Sequence, residues 1–590
     1  MSSNADDSRR THPDETTRTR LVDPQVPPQS SATGPWGMCS GAEWSHEHPR
    51  FTPILAEAGV TSLRMFREWQ NIQPEPDAWR WDEADAIVSS ARRNAVELLG
   101  LWCYFATWAS ADGGTRQGPI KDIDAWRRYV GATVTRYGRS IPHWEVWNEF
   151  NGSFYSGPDK PRAYARLTVA AFDAARRADP DVAVGMSVAS SDIGFLDLAI
   201  EAGAHAHFDF LAIHPYENTA ALMYGDEVGF LGLADTLRQM LARNGQPTDT
   251  PLWITEVGVQ APVDPDPEAD ARQAEGLLKV YVLALAQGFE RVYWFEARGP
   301  AYGKGTDHGI IRKDWTLRPA YHAMSAMIDM LGQAPVYVGW LALGEKQDAF
   351  GFVFEQDDRH ILAAWAPRGV EREVSFTHPV RAVDHAGRSH KVDAGHKIAL
   401  APMPVFIADL PDKRIEQAKA NAAHPFPWGG NYSHADEVAI LLGDRNREDG
   451  LTQIFLREDH ENCTEPAGVD GEPARRVVSR DRDHVFAYFR THPSFLEFAP
   501  QTLELTVVAR RSDPRTPAGI AVTYETREGY RDFKTGGETW AVPGEDAWHE
   551  HTFRLDNACF ANRWGWHLGL ITPDDEPALL IRELRVRRGT

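Results

Sequence analysis

The sequence predicts an α/β fold: a (β/α)8 TIM barrel, with a small β-sandwich and a jelly-roll-like all-β region behind it. Three observations carry this. Apolar, strand-like runs alternate with helix-like segments from about Pro35 to about Gly332. Eight such units fit into roughly 300 residues, a length that suits this barrel with modest insertions. After Leu331 the texture changes to short alternating runs separated by charged turns.

The candidate strands are Trp36–Ser40, Ser62–Phe66, Glu97–Trp102, His143–Trp147, Ala183–Ser187, Phe208–Ile213, Leu252–Thr255 and Arg291–Phe295. Several are continuously apolar, as expected of parallel strands buried on both faces. Between them, helical patterns cover Ala125–Tyr137, Pro161–Ala178 with Pro161 near its start, and Asp270–Gln287 with Gly288 as the stop. An open doubly wound sheet would use the same alternation, but no Gly-rich phosphate loop follows the first strand.

The expected organisation begins with a disordered polar tail over 1–34 and the catalytic barrel over 35–334. A β-sandwich over 335–410 carries runs such as Phe350–Phe354 and Ile361–Trp365. A linker or helix over 411–427 leads to a C-terminal β-sandwich over 428–590, with runs such as Leu503–Val508, Ile520–Tyr524 and Ala578–Val586. A carbohydrate-binding role is open to this last unit.

At 590 residues the chain is too long for one core. Its 62 basic against 84 acidic side chains give a net charge of −22, which argues against nucleic acid or an anionic membrane as partner. No run is long and apolar enough to span a bilayer. Cys39, Cys103, Cys463 and Cys559 form no CxxC, so neither structural zinc nor a disulfide framework is expected, and no cofactor is called for. Residues 1–29 lack an apolar leader core, although Arg9 and Arg10 are paired; a cytoplasmic protein is expected, or a secreted one if a leader was removed. A homo-oligomer is left open. Trp is abundant, at 20, and flat indole faces near strand ends suit sugar rings.

Chemistry concentrates in two places. The run His143-Trp144-Glu145-Val146-Trp147-Asn148-Glu149-Phe150-Asn151-Gly152 ends a strand in Asn-Glu and a Gly loop, which puts Glu149 at the C-terminal rim of the fourth strand. Pro251-Leu252-Trp253-Ile254-Thr255-Glu256-Val257-Gly258 puts Glu256 at the rim of the seventh. Two carboxyl groups facing each other across a barrel mouth are what glycoside hydrolysis requires, one as acid and one as nucleophile or base.

Asn-Glu on strand four with Glu on strand seven resembles the retaining glycosidases of glycoside hydrolase clan A. The Glu-Val-Trp-Asn-Glu run and the trailing β-sandwich are most similar to glycoside hydrolase family 39, which includes β-xylosidases and α-L-iduronidases. The likeness covers roughly Pro35–Leu410. It implies Glu149 as acid/base, Glu256 as nucleophile and Asn148 as the partner of the sugar 2-hydroxyl. It further implies Arg64 beside Glu256, His214 and Tyr216 after strand six bonding the nucleophile or the sugar, and Trp294 as the floor under the first ring. Phe150 stands where family members usually have Pro. No His is evident on strand three, where Tyr104 or Trp108 takes its place. Glu149 is expected to be protonated at rest and Glu256 ionised.

Other side chains read differently. Glu145 shares strand parity with Glu149 and is expected to be a buried structural acid needing a partner such as Arg64, which can serve either carboxylate. Glu296 faces substrate or surface. His46 with His48, and His205 with His207, have strand spacing for a metal but no third ligand at fixed spacing, and are read as structural or solvated. Trp564-Gly565-Trp566 is a sugar platform or, more in keeping with Trp generally, core. The function expected is a retaining, exo-acting glycosidase on a small β-D-xyloside, β-D-glucoside, β-D-galactoside or α-L-arabinoside. A transglycosylase with the same residues, a non-catalytic carbohydrate-binding barrel and a metal-dependent hydrolase are the alternatives.

Overall fold

The protein is represented by a computed structural model describing residues 34–41, 45–65, 67–112, 114–299, 305–461, 463–481, 484–531, 538–572 and 578–589. The expected tail therefore lies almost wholly outside the described residues. Eight parallel strands close into a barrel: β1 (Trp36–Cys39), β2 (Ser62–Arg64), β3 (Glu97–Trp102), β4 (His143–Val146), β5 (Ala183–Ala189), β6 (Phe210–His214), β7 (Leu252–Val257) and β8 (Arg291–Trp294). β1 pairs with β8 as well as β2, which removes the open doubly wound alternative. All residues of β1, β2, β3, β6 and β7 are buried, the burial on both faces that their continuous apolar runs imply. The helices expected from periodicity form over Ile123–Tyr137, Lys160–Ala178 and Pro267–Ala286. Asp122 and Asp266 cap two of them by accepting the backbone N–H groups of Asp124, and of Glu268 and Ala269.

The lower end of the barrel is locked by polar side chains on the first residues of three strands. Glu97 of β3 meets Arg291 of β8 and lies 3.3 Å from His143 of β4. Burial alone would raise the Glu97 carboxyl, but His143 and Arg291 hold it down to about 2. Arg291 also lies over the ring of Trp253.

Strand ends depart from the sequence expectation at places that matter. β4 stops at Val146, one residue early, because Trp147 and Glu149 adopt left-handed backbone at φ +66° and +50°. β6 starts later and ends on His214, so His214 belongs to the strand and only Tyr216 lies beyond it, at the start of the helix Tyr216–Met223. β7 runs on to Val257, with a register shift against β8 between Ile254 and Val257.

Behind the barrel, a six-stranded and a two-stranded antiparallel sheet occupy Val336–Ala408, and the helix Asp412–Asn421 follows. Phe350, Phe352, Trp365 and Phe406 of this region join the barrel's own core. The rest of the chain forms a 13-stranded antiparallel sheet. Its main path begins at Arg447–Asp449 and ends at Leu451–Ile454, so Gly450 joins the two ends and the sheet curls back on itself. No described helix is long and apolar enough to cross a membrane.

Candidate active site

Five ionisable side chains meet at the C-terminal rim. Arg64, the last residue of β2, is fully enclosed and donates to three groups. Nε reaches Glu145 Oε2 at 2.8 Å, Nη1 reaches Glu256 Oε2 at 2.8 Å, and Nη2 reaches Asn148 Oδ1 at 3.0 Å. It thus serves both carboxylates and the Asn at once. Asn148 in turn donates to the Tyr104 hydroxyl at 3.1 Å. The second oxygen of Glu256 accepts from the Tyr216 hydroxyl at 2.8 Å. Burial first, and then the charge of Glu256, push that phenol well above its usual range, so it stays a donor.

His214 ties the two sides together. Its Nδ1 lies 3.1 Å from Glu149 Oε1, and its Nε2 lies 3.1 Å from the Thr255 hydroxyl. Thr255 passes the connection on by donating to Glu145 Oε1 at 3.1 Å. Burial works to lower the imidazole, but Glu256, Glu145 and Glu149 outweigh it and raise it to about 9. Glu145 is wholly buried; burial pushes it up, and Arg64 and His214 pull it down to about 2. It is the structural acid that its strand parity implied, with Arg64 as the partner it required.

Two breaks in strand alternation build this cluster. In a regular strand, consecutive residues point to opposite faces. The left-handed backbone at Trp147 and Glu149 lets Asn148 and Glu149 both turn toward the site. The register shift in β7 does the same for Thr255 and Glu256, with one extra residue re-aiming a side chain as a bulge does. Ligand-capable atoms of Glu149, His214 and Glu256 all lie within 4.8 Å of one another. The cluster is poorly suited to a metal ion. Glu256 is already paired with Arg64, and an imidazole raised to about 9 carries a proton where a metal needs a lone pair.

The remaining expected residues stand on neighbouring elements. Trp294 ends β8 and is fully buried. Trp108 is half-buried; its indole donates to the Gln73 carbonyl at 2.9 Å and packs edge-on against Trp69. Glu296 is fully buried, which corrects the surface reading. His48 is enclosed beside Ser40 at 3.4 Å, and burial lowers it to about 3. His207 bonds the His205 carbonyl at 2.7 Å. Phe150 stacks on Tyr155 and Tyr164 beneath the β4 loop. Thr255 was not anticipated, although a polar residue in an otherwise apolar strand, next to Glu256, was a visible signal. A cleft of about 470 Å³ opens beside Tyr216, between His308 and Arg272 of the barrel and Leu456 and Arg457 of the C-terminal sheet.

A (β/α)8 barrel with a paired-glutamate rim is the class that fold and site define. No family profile matches the chain. Among solved structures, it is similar to a family 39 glycoside hydrolase from Bacteroides cellulosilyticus WH2, at 18% identity and TM-score 0.52, over 64% of this chain and 81% of the other. That likeness bears on the fold. Looser likenesses are to a GH39 β-xylosidase from Caulobacter crescentus (15% identity, TM-score 0.46, 66% of this chain, 98% of the other) and a glucosidase from Croceicoccus marinus (13%, 0.45, 95% and 96%). In sequence, it is similar to a 6-phospho-beta-glucosidase of Dickeya chrysanthemi, 25% identical over 120 residues. That match takes in 19% of this chain and 26% of the relative, so the chain covers about a quarter of the curated relative's length.

Proposed function

We propose that the protein is a retaining O-glycosyl hydrolase, with Glu149 as acid/base and Glu256 as nucleophile. The observation that carries this is the approach of a Glu149 and a Glu256 carboxylate oxygen to within 4.8 Å. Retaining enzymes hold their carboxyl groups about 5–5.5 Å apart, whereas inverting ones leave about 6.5–9.5 Å for a water.

The charge count supports the division of labour. Two cations, Arg64 and His214, face three carboxyl groups, Glu145, Glu149 and Glu256. One proton neutralises the cluster. Glu149 is the one of the three that Arg64 does not bind, which suits it to the acid role. Glu149 Oε1 accepts from His214, which leaves Oε2 for the proton. In the first step a Glu256 oxygen attacks C1, the bond from C1 to the leaving oxygen breaks, and that oxygen takes the Glu149 proton. In the second, Glu149 removes a proton from water, the water oxygen attacks C1, and the ester to Glu256 breaks. Asn148, oriented by Arg64 and Tyr104, is suited to the sugar 2-hydroxyl. The substrate proposed is a small β-D-xyloside, β-D-glucoside, β-D-galactoside or α-L-arabinoside, attacked in the exo mode.

The test is a panel of these four aryl glycosides, with NMR of the first-formed sugar. Hydrolysis with retained anomeric configuration is expected. Inverted product would overturn the assignment of Glu256, and silence on the whole panel would favour a non-catalytic carbohydrate-binding barrel.

A further inference from the structure

Besides Leu456 and Arg457 at the cleft beside Tyr216, the C-terminal sheet reaches the active-site rim through the loop that carries Asn562 and Arg563. Asn562 and Arg563 dock on the β5 and β6 loops: the Arg563 carbonyl accepts from the Ser190 hydroxyl and from Ser191 N–H at 3.1 Å, and the Asn562 carbonyl accepts from Asn218 at 2.8 Å. Arg563 also pairs with Asp192 at 2.6 Å. Glu525 holds the loop from its own side by accepting the N–H groups of Ala561, Asn562 and Arg563. Gly565, at φ +79°, lies so close to the Glu217 carbonyl that an added Cβ would sit 2.8 Å from it.

The two indoles of the Trp-Gly-Trp run part company here. Trp566 is buried in a small core that includes Ala221, on the helix that begins at Tyr216. Trp564 is 46% exposed, one of three large apolar side chains so exposed among the described residues. One of its faces lies on Tyr530, stacked at 4.8 Å and 18°. Tyr530 is itself fixed through its hydroxyl to the Trp566 carbonyl at 2.9 Å. The indole is therefore held from one face, and the chain on either side of it is docked: the Arg563 carbonyl on Ser190, and Gly565 against the Glu217 carbonyl. One indole is far smaller than the area a stable protein partner needs. A sugar ring, apolar on its C–H face and polar at its edge, fits an indole ringed by hydrogen-bonding groups.

We propose that Trp564 is the platform for the leaving-group ring, so that the C-terminal sheet supplies a subsite to the barrel. This rests on the reading of Glu149 as the acid. The direction follows from connectivity: Arg563 bonds Ser190, the Ser190 carbonyl accepts from His214 N–H at 3.1 Å, and His214 bonds Glu149. The loop thus joins the arm that protonates the leaving oxygen, away from Arg64 and Tyr104, which orient Asn148.

The test compares two substrates of whichever sugar the aryl-glycoside panel selects: its 4-O-linked disaccharide, and its glycosyl fluoride, whose leaving group cannot reach a ring platform. For Trp564→Ala, kcat/KM on the disaccharide should fall about tenfold or more beyond any fall on the fluoride, mostly through KM. Trp564→Phe should lie between alanine and wild type, and circular dichroism should match wild type for both. Equal losses on the two substrates, or no loss on either, would overturn the proposal while leaving Glu149 and Glu256 in place. A wild-type enzyme that hydrolyses none of the four glycosyl fluorides would instead overturn the glycosidase reading, and this proposal with it.

Discussion

The two ends of the barrel carry ionic clusters of similar make-up and opposite character. At the lower end, one carboxylate, Glu97, is matched by the guanidinium of Arg291, with His143 beside it. At the upper end, three carboxyl groups share two cations, Arg64 and His214. The lower cluster has no proton it needs to move. The upper one has one more carboxyl group than it has cations, which is what the proposed acid role of Glu149 asks for. Exposure differs in step: the Glu97 side chain is 7% exposed, against 19% for Glu149. Buried charge by itself therefore does not mark a site. An excess of one sign beside an opening does.

Substitutions can break that contrast in graded ways. With the nucleophile left in place, the largest effect falls on Glu149→Ala. Turnover of substrates with poor leaving groups should drop by about 10²–10⁴, with far less loss on dinitrophenyl glycosides. Comparable losses on both would remove the acid role. Arg64→Met removes from buried Glu145 its hydrogen-bonded cation, leaving only His214 at 3.6 Å, and should cost about 3–5 kcal/mol in urea unfolding, together with loss of activity. A stable, active variant would mean that Arg64 is dispensable to the cluster.

The pH dependence should separate the two ends. His214 is raised to about 9, so the stability it contributes is complete below about 6.5 and is lost as pH rises through 9. Wild type should lose about 3 kcal/mol over that window, and His214→Gln should flatten the slope. Glu97, held at about 2, works the other way: its contribution is present above about 4.5 and disappears as pH falls toward 2. Glu97→Gln should cost about 1–3 kcal/mol at neutral pH and soften the acid transition. Its kcat should match wild type, since Arg291 and His143 hold it at the lower end of the barrel; a changed pH–rate profile would erase the contrast between the ends.

Much of this architecture was legible in the chain. Apolar runs such as Glu97–Trp102 and Leu252–Thr255 report burial directly, because a strand covered on both faces has no room for alternation. Glu149 and Glu256 stood out as acids closing such runs, and the need of Glu145 for a cation followed from its parity. The aim of the side chains was not legible. Alternation forbids Asn148 and Glu149, or Thr255 and Glu256, from sharing a face, and only the left-handed backbone in one strand and the bulge in the other allow it. Neither is written in Gly or Pro. The contact of Arg563 with Ser190, 373 positions apart in the chain, had no local signal at all. The fates of Trp564 and Trp566 depended on that contact.

The most direct test is chemical rescue at the β7 rim. Glu256→Ala should lose activity by about 10⁴-fold or more, and added azide should restore turnover of an activated aryl glycoside by attacking C1 where the carboxylate stood. The account predicts a glycosyl azide of inverted anomeric configuration. An azide product of retained configuration would make Glu256 the acid/base and contradict it.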